Sequence, residues 1–243
     1  MVSLHVEPTS RCTLACPRCE RTELVSKFGK KALPINDLNI NDFKTFIDID
    51  INNINFCGNL GDPIYHTNFL ELVKVSKLVA KSVSITTNGS RKSKSWWKKL
   101  NAILDDEDTI TFSIDGTPDN FTRYRINGDW PSIRVGIDEC VLGPARVVWK
   151  YIPFKFNEND IESTRLLSNK LGIDEFKVDP SDRWNDKDES IDTQRPTIES
   201  LVSTKDIVKR RFETTTSRDF IIDPKCKNNI MHFISSVGYY SPC

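Results

Sequence analysis

The sequence has no long apolar run and no recognisable leading signal. In its 243 residues, no apolar stretch approaches the roughly 18 residues that a membrane-spanning helix needs. The opening residues, MVSLHVEPT, include neither the charged region nor the long apolar region of a secretory signal peptide. These absences argue against a membrane helix and a signal peptide, and the compartment that we expect is the cytoplasm.

An excess of charge of one sign is also missing. The chain has 34 Lys and Arg residues and 34 Asp and Glu residues, so its formal net charge is zero. A general nucleic-acid binder usually carries a basic excess, and nucleic acid is therefore not an expected partner. At 243 residues the chain is long enough to bury a hydrophobic core as one large domain.

Cysteine, in contrast, is plentiful and unevenly spaced. Disulfides are not expected in a reducing compartment, so the seven cysteines need another explanation. A tight group of cysteines indicates a metal-binding or catalytic site, whereas an isolated cysteine is most often a small core residue. The sequence has a trio, two single residues and a distant pair: Cys12, Cys16 and Cys19; Cys57 and Cys140; Cys226 and Cys243.

Strand-like and helix-like segments alternate along the first three quarters of the chain. The strand candidates are short, rich in β-branched or aromatic residues, and end at Gly, Pro, Asn or Asp. Six strands with intervening helices predict a parallel α/β fold, although periodicity does not show whether the sheet closes into a barrel. The strands are predicted at 3–8, 49–58, 82–88, 109–115, 145–154 and 175–180, and helices at 39–49, 67–81, 92–104 and 159–172.

The cysteine trio has the spacing C-x3-C-x2-C and directly follows the first predicted strand. Its loop therefore leaves the carboxyl edge of the sheet, where parallel α/β folds have their sites. Three thiolates can hold three irons of a [4Fe–4S] cluster and leave the fourth iron open to a substrate or cosubstrate. A zinc site completed by Cys57, His5 or His66, or an iron–sulfur redox-sensing module, stays open as an alternative.

This spacing after a first strand resembles the signature of radical S-adenosylmethionine (radical SAM) enzymes. The resemblance implies that Cys12, Cys16 and Cys19 hold a [4Fe–4S] cluster whose open iron binds the amino and carboxylate groups of SAM. Reduction then cleaves SAM to methionine and a 5′-deoxyadenosyl radical, which abstracts a hydrogen atom from a substrate. The implied fold is a partial (β/α)6 barrel, which agrees with the six predicted strands.

A second motif follows the second predicted strand. The segment from Leu60 to Pro63 reads Leu-Gly-Asp-Pro and is similar to the Gly-Gly-Glu-Pro segment that contacts the SAM amino group in this family. The resemblance implies SAM-binding roles for Gly61 and Asp62. A glycine lets backbone carbonyls approach a ligand, and an acid can balance an ammonium group. The segment departs from the usual pattern at two positions, and an ordinary Gly-Asp-Pro turn is the alternative.

Polar residues at later strand ends complete the predicted SAM site. Asn88 belongs to a Thr-Asn-Gly segment, and Ser113 and Asp115 are two residues apart, so both point to one face of a strand. A polar pair in a core strand is costly unless it is hydrogen-bonded, which favours a ligand role. Arg183 is a candidate for the SAM carboxylate. The segment Arg123-Tyr124-Arg125 is predicted either to bind a carboxylate or to lie on a solvated helix.

The last segment resembles the start of a SPASM or twitch extension. The spacing Cys226-x11-Gly238-x4-Cys243 is similar to its opening, in which further cysteines hold auxiliary iron–sulfur clusters. Two thiolates are too few for such a cluster, so an auxiliary site and two free cysteines both stay open. The expected organisation is a radical SAM core at 1–180, a linker at 181–220 and an incomplete extension at 221–243.

The predicted function is that of a radical SAM enzyme. The SPASM resemblance implies a peptide or protein substrate, although other members of the superfamily act on RNA, sugars or cofactors. An electron donor such as a flavodoxin or ferredoxin is the expected protein partner. A zinc-binding or redox-sensing module and an inactive relative are the competing hypotheses.

Overall fold

An eight-stranded sheet organises the computed structural model, which describes residues 2–33, 35–47, 51–181, 194–203, 231–238 and 240–241. The sheet order is β6-β5-β4-β3-β2-β1-β7-β8. Neighbouring strands are parallel from β6 to β7, and β8 runs antiparallel to β7. The strands are β1 (Val2–Val6), β2 (Ile51–Phe56), β3 (Ala80–Thr87), β4 (Thr109–Ser113), β5 (Arg146–Tyr151), β6 (Glu175–Val178), β7 (Met231–Ile234) and β8 (Tyr240–Ser241).

Helices supply the crossovers that parallel neighbours require. They are α1 (Glu20–Phe28), α2 (Ile40–Phe46), α3 (Phe69–Lys77), α4 (Lys94–Asn101), α5 (Trp130–Cys140) and α6 (Ile161–Lys170). The described sheet is open, with β6 at one edge and β8 at the other. The prediction of a partial parallel barrel with six consecutive strands is confirmed.

Alternating strand residues build the core. Ile54, Phe56, Val83 and Ile85 are fully buried on neighbouring strands, since every second side chain points to the same face. Trp97 of α4 is also fully buried and packs against the sheet and α5. A Cβ atom at Gly136 of α5 would lie 2.7 Å from the Trp97 ring, so the close helix contact needs glycine there.

Three elements, α1, α5 and β7, differ from the strands and helices predicted from the sequence. Helix α1 was not predicted, because it contributes no buried residue and lacks the apolar stripe that reveals a surface helix. Strand β7 joins the core sheet beside β1, with Ser3 opposite Met231 and Val6 opposite Ile234. The two strand segments of 221–243 therefore extend the same sheet.

Within the parts of the chain that the structure describes, no helix is both long enough and apolar enough to cross a membrane.

Candidate functional site

The carboxyl ends of the first six strands surround a cavity of about 600 Å³. This volume lies in the range of small-molecule sites, which reach roughly 1,000 Å³. The predicted site residues that line the cavity are Cys12, Cys16, Cys19, Gly61, Asp62, Asn88 and Ser113. The structure thus brings together, in one cavity, residues that are spread over a hundred positions of the sequence.

The three cysteines lie on the loop between β1 and α1. A turn brings Cys16 and Cys19 together, since the Cys19 amide donates to the Cys16 carbonyl at 3.1 Å. The Leu14 amide donates to the Cys12 sulfur at 3.4 Å, and Cys19 immediately precedes α1. All three thiols line the same cavity, and their roles as cluster ligands stay a prediction.

Two polar side chains approach the thiols. The Asn88 side-chain amide lies 3.7 Å from the Cys12 sulfur, and the Arg125 guanidinium lies 4.0 Å from the Cys16 sulfur. Burial, with a further contribution from the negative charge of Asp62, raises the pKa of Cys12 to about 12. Burial also raises the pKa of Cys16, against the opposing effect of Arg125. Thiolate ligation of a metal centre here would release protons.

Asp62 connects the ends of β2 and β3. One carboxylate oxygen accepts hydrogen bonds from the Thr87 hydroxyl at 2.8 Å and the Ile64 amide at 3.2 Å. The other accepts from the backbone and side-chain amides of Asn88, at 2.6 and 2.5 Å. Burial raises the pKa of Asp62, while the bonds from Asn88 and Thr87 act in the opposite direction. Both oxygens are engaged within the protein, so Asp62 fixes two loops at the cavity wall.

Gly61 permits a direct contact between two backbones. A Cβ atom at this position would lie 2.0 Å from the carbonyl oxygen of Thr9, and one at Gly58 would lie 2.5 Å from the carbonyl oxygen of Gly61. The Asp62 amide donates to the Arg11 carbonyl at 2.8 Å. The Gly-Asp-Pro loop therefore packs directly on the cysteine loop, which explains why glycines flank Asn59 and Leu60.

Ser113 and Asp115 have different surroundings. Ser113 ends β4 and lines the cavity, whereas Asp115 is fully buried behind the cavity wall. The Asp115 carboxylate accepts from the Arg125 guanidinium at 2.6 Å and from the Ile152 amide at 2.8 Å. In the structure, Arg125 does bind a carboxylate, and this carboxylate belongs to Asp115 of the same chain.

Asn157 supports this ion pair from behind. Its side-chain amide donates to the Asp115 carbonyl at 3.2 Å and the Ile152 carbonyl at 3.1 Å, and the residue is fully buried. Asn157 thereby joins the segments that follow β4 and β5. It holds Asp115, and through it Arg125, in place beside Cys16.

Residues 194–203, here called the strap, form another part of the cavity wall. Ser200, Val202 and Ser203 of the strap line the cavity. The Glu158 carboxylate accepts from the Thr197 amide at 2.6 Å, the Thr197 hydroxyl and the Ile198 amide at 3.1 Å. Burial acts to raise the pKa of Glu158, but the hydrogen bonds from Thr197 and Ile198 have the larger combined effect and lower it. The strap lies within the predicted linker, whose polar composition carries no signal for a cavity wall.

The far side of the cavity carries a second ion pair and a fourth thiol. The Lys150 ammonium lies 2.5 Å from the Asp179 carboxylate, and both residues line the cavity, as does Cys57. Arg183, Cys226 and Cys243, which the sequence singled out, lie outside the described residues.

Among the described residues, no group of three or more His, Cys, Asp or Glu side chains has an arrangement that would hold one metal ion. Cys12, Cys16 and Cys19 line one cavity, and three cysteine thiols are a donor set that fits a cysteine-ligated [4Fe–4S] cluster.

No protein-family model matches the chain. A curated relative, the tungsten-containing aldehyde ferredoxin oxidoreductase cofactor-modifying protein of Pyrococcus furiosus, is 26% identical over 118 residues. The match covers 49% of this chain and 32% of that relative, so it spans about a third of the relative's length.

Solved structures show the same fold. Streptococcus suis SuiB bound to S-adenosylmethionine has a TM-score of 0.67 at 15% identity, and the match covers all of this chain and 60% of SuiB. SuiB bound to the precursor peptide SuiA also has a TM-score of 0.67, at 13% identity, with 100% and 59% of the two chains covered. TYW1 with a lysine-pyruvate adduct has a TM-score of 0.50 at 12% identity, with 98% and 76% covered. The chain therefore has the open, partial α/β barrel that the radical SAM resemblance implies.

Proposed function

We propose that the chain is a radical SAM enzyme that cleaves S-adenosylmethionine reductively and abstracts a hydrogen atom from its substrate. One observation carries the proposal: the thiols of Cys12, Cys16 and Cys19 line one cavity at the carboxyl edge of an open parallel sheet. The fold likeness to SuiB with S-adenosylmethionine bound supports the same conclusion.

In this proposal, Cys12, Cys16 and Cys19 hold a [4Fe–4S] cluster and leave one iron open. When bound and reduced, the cluster supplies the electron that cleaves SAM to methionine and a 5′-deoxyadenosyl radical. The guanidinium of Arg125 near Cys16 and the amide of Asn88 near Cys12 offset the negative charge of the thiolates. Such neighbours orient and tune metal ligands.

The remaining polar residues position SAM. Backbone carbonyls beside Gly61 are available to an ammonium group, because the glycine lets the chain approach closely. Asp62 acts as a positioning residue, since both of its carboxylate oxygens are already engaged. Ser113 lines the cavity, and its hydroxyl would bind a ribose or another polar group. Arg183 stays our candidate for the SAM carboxylate.

A peptide or protein is the proposed substrate. The SPASM-like spacing and the structure of SuiB with its precursor peptide support this class. We retain the division into a core at 1–180, a linker at 181–220 and an incomplete extension at 221–243. A flavodoxin or ferredoxin as electron donor and a cytoplasmic location complete the proposal. For Cys226 and Cys243, an auxiliary site and two free cysteines both stay open.

The competing hypothesis is a zinc-binding or redox-sensing module. The three cysteine thiols that line one cavity are the donor set of a [4Fe–4S] cluster with one open iron, which supports the radical SAM hypothesis. A redox sensor would form a cluster but would not cleave SAM.

Anaerobic reconstitution with iron and sulfide tests the proposal. We expect a brown protein with about four irons per chain, which forms 5′-deoxyadenosine from SAM when dithionite is added. Cys16→Ala should lose the iron and the cleavage together. Cys140→Ala is the matched control, because Cys140 is buried on α5 away from the cavity lining. A colourless protein that holds one zinc ion would contradict the proposal.

A further inference from the structure

Arg21 differs from the other charged side chains that line the cavity. The described lining contains four others, two cationic and two anionic, and each of them has a partner within the chain. Their pairings are Arg125 with Asp115, Lys150 with Asp179, and Asp62 with Thr87 and Asn88. Arg21 is the one charged side chain of the described lining that has no partner among the described residues.

The guanidinium of Arg21 has an unsatisfied donor. Its Nε atom is shielded from solvent and donates to no described residue. No ion pair joins Arg21 to a described Asp or Glu side chain. A buried donor without a partner costs free energy, and the cost is larger for a charged group. Native structures keep such a group where a ligand, an ion or water completes its bonding, so Arg21 has the properties of a ligand-binding residue.

The backbone of Arg21 is fixed by the cysteine loop. Arg21 is the second residue of α1, which starts directly after Cys19. The Glu23 amide donates to the Cys19 carbonyl at 3.0 Å, so the first turn of α1 is built on this cysteine. Arg21 also lines the same cavity as the three thiols. A group bound to its guanidinium would therefore lie in the cavity where the proposed function generates the radical.

Two other roles for a cation in this cavity already have candidates. Arg125, whose guanidinium lies 4.0 Å from the Cys16 sulfur, offsets the charge of the thiolates. In the proposed function, the amino and carboxylate groups of SAM bind the open iron, and Arg183 is the candidate for the carboxylate. Arg21 is therefore available to the substrate. A guanidinium binds carboxylates best, because its planar fork donates two parallel hydrogen bonds.

We propose that Arg21 binds a side-chain carboxylate of the substrate, an inference that rests on the proposed function and deepens it. The substrate class that follows is a peptide or protein with Glu or Asp near the residue that loses its hydrogen atom. The carboxylate satisfies the buried Nε donor and positions the substrate in the cavity. No covalent bond forms or breaks at Arg21, which is a binding and specificity-determining residue.

Peptide binding tests the proposal. The probes are two pools of heptapeptides that carry an uncharged dye and blocked ends. The central residue is Glu in one pool and Gln in the other, and the remaining positions are randomised among uncharged residues. Fluorescence anisotropy measures the binding of each pool to the anaerobically reconstituted full chain with SAM present. The variants are Arg21→Gln, Arg21→Lys and, as the charge-matched control, Arg134→Gln, whose exposed guanidinium on α5 pairs with Asp138.

We expect the unmodified chain and Arg134→Gln to bind the Glu pool about tenfold more tightly than the Gln pool. Arg21→Gln should reduce this preference to less than about twofold, because the variant has no charge to pair with the carboxylate. Arg21→Lys should keep part of the preference, since it retains the charge but loses the planar fork. The affinity for SAM, measured by equilibrium dialysis, and the iron content should not differ between Arg21→Gln and the unmodified chain.

Three outcomes would overturn the proposal for Arg21. The unmodified chain binds both pools equally or binds neither; or the Arg21 variants keep the full preference for the Glu pool; or Arg21→Gln binds SAM about tenfold more weakly or loses iron. The last outcome would assign the guanidinium to the SAM carboxylate or to the cluster. If Arg21→Gln does not fold, Arg21→Lys decides by the same criteria. A failure of the proposed function is distinguishable, because the unmodified chain would then form no 5′-deoxyadenosine with dithionite, whatever its preference between the pools.

Discussion

The carboxylate of Asp62 accepts hydrogen bonds from both the backbone amide and the side-chain amide of Asn88, at 2.6 and 2.5 Å. The two residues follow neighbouring strands, β2 and β3, and belong to the Gly-Asp-Pro and Thr-Asn-Gly segments. These two short motifs therefore form one buried unit beside Cys12. Its integrity determines the shape of the cavity wall.

Asp62→Asn should destabilise the fold. The NH2 group of the new asparagine would face N–H or O–H groups of Asn88 or Thr87. Two donors cannot bond to each other, so these buried polar groups would be left unpaired. We expect the free energy of unfolding to fall by about 2–3 kcal/mol, as measured by urea denaturation at neutral pH. Asp106→Asn on the surface is the control and should change it by less than about 0.5 kcal/mol. An equally small effect of Asp62→Asn would show that the Asp62 bonds contribute little.

Gly61→Ala should separate the cysteine loop from the loop after β2. The added methyl group would lie 2.0 Å from the Thr9 carbonyl oxygen, so one backbone must move. We expect a loss of stability of about 2–3 kcal/mol together with lower iron retention after reconstitution. Gly172→Ala is the control. Gly172 has a positive φ of 77°, so alanine there should lower the stability by about 1–2 kcal/mol through backbone strain. Gly172 lies far in sequence from Cys12, Cys16 and Cys19, so iron retention should not change. Full iron retention in Gly61→Ala would contradict the tight contact.

The Cys57→Ala variant tests whether a fourth cysteine binds the open iron of the predicted cluster. Cys57 lines the same cavity as the three cysteines, so it has the location of a competing ligand. We expect Cys57→Ala to retain about four irons per chain, whereas Cys16→Ala loses them. Iron analysis and visible absorption measure the difference. Iron loss in Cys57→Ala would mean that a fourth cysteine completes the cluster.

The strap should detach in acid. The pKa of Glu158 is lowered in the folded chain by its bonds to Thr197 and Ile198, which outweigh the effect of burial. The stabilisation is therefore complete above the ordinary pKa of 4.5 and is lost as the pH falls through the lower folded value. Limited proteolysis at the strap, followed by mass spectrometry, should become faster over this range.

Glu158→Gln is the control for that experiment. The neutral amide cannot titrate, so its strap should be cut faster at pH 7, with little further change in acid. A pH profile in Glu158→Gln that matches the unmodified chain would assign the effect to another group.

Local patterns were sufficient for the six parallel strands of the core. Each strand is a short β-branched run that ends at a breaker, and this signal needs no knowledge of distant residues. The cysteine trio, Gly61, Asp62 and Asn88 were also predicted from local patterns, since each follows a strand and parallel strands end at the same edge of the sheet. That geometry alone predicts that these residues gather in one place.

The parts that sequence reasoning missed depend on distant contacts. Strand β7 pairs with β1 across more than 200 residues, and no periodicity reveals the partner of a short strand. Asp115 was predicted to face SAM, but its place behind Arg125 depends on Asn157 and Ile152, which come from another strand end. The strap is polar and short, and its bonds to Glu158 and the lining residues Ser200, Val202 and Ser203 identify it as a cavity wall.

The central claim is that three cysteines hold a cluster with one open iron that SAM occupies. Electron paramagnetic resonance of the dithionite-reduced, reconstituted chain tests this most directly, with and without SAM labelled with ¹⁵N or ¹⁷O in its methionine moiety. The account predicts a [4Fe–4S]⁺ signal that shifts when SAM is added and shows hyperfine coupling to the labelled atoms. A reduced cluster whose signal is unchanged by SAM and shows no coupling would contradict it.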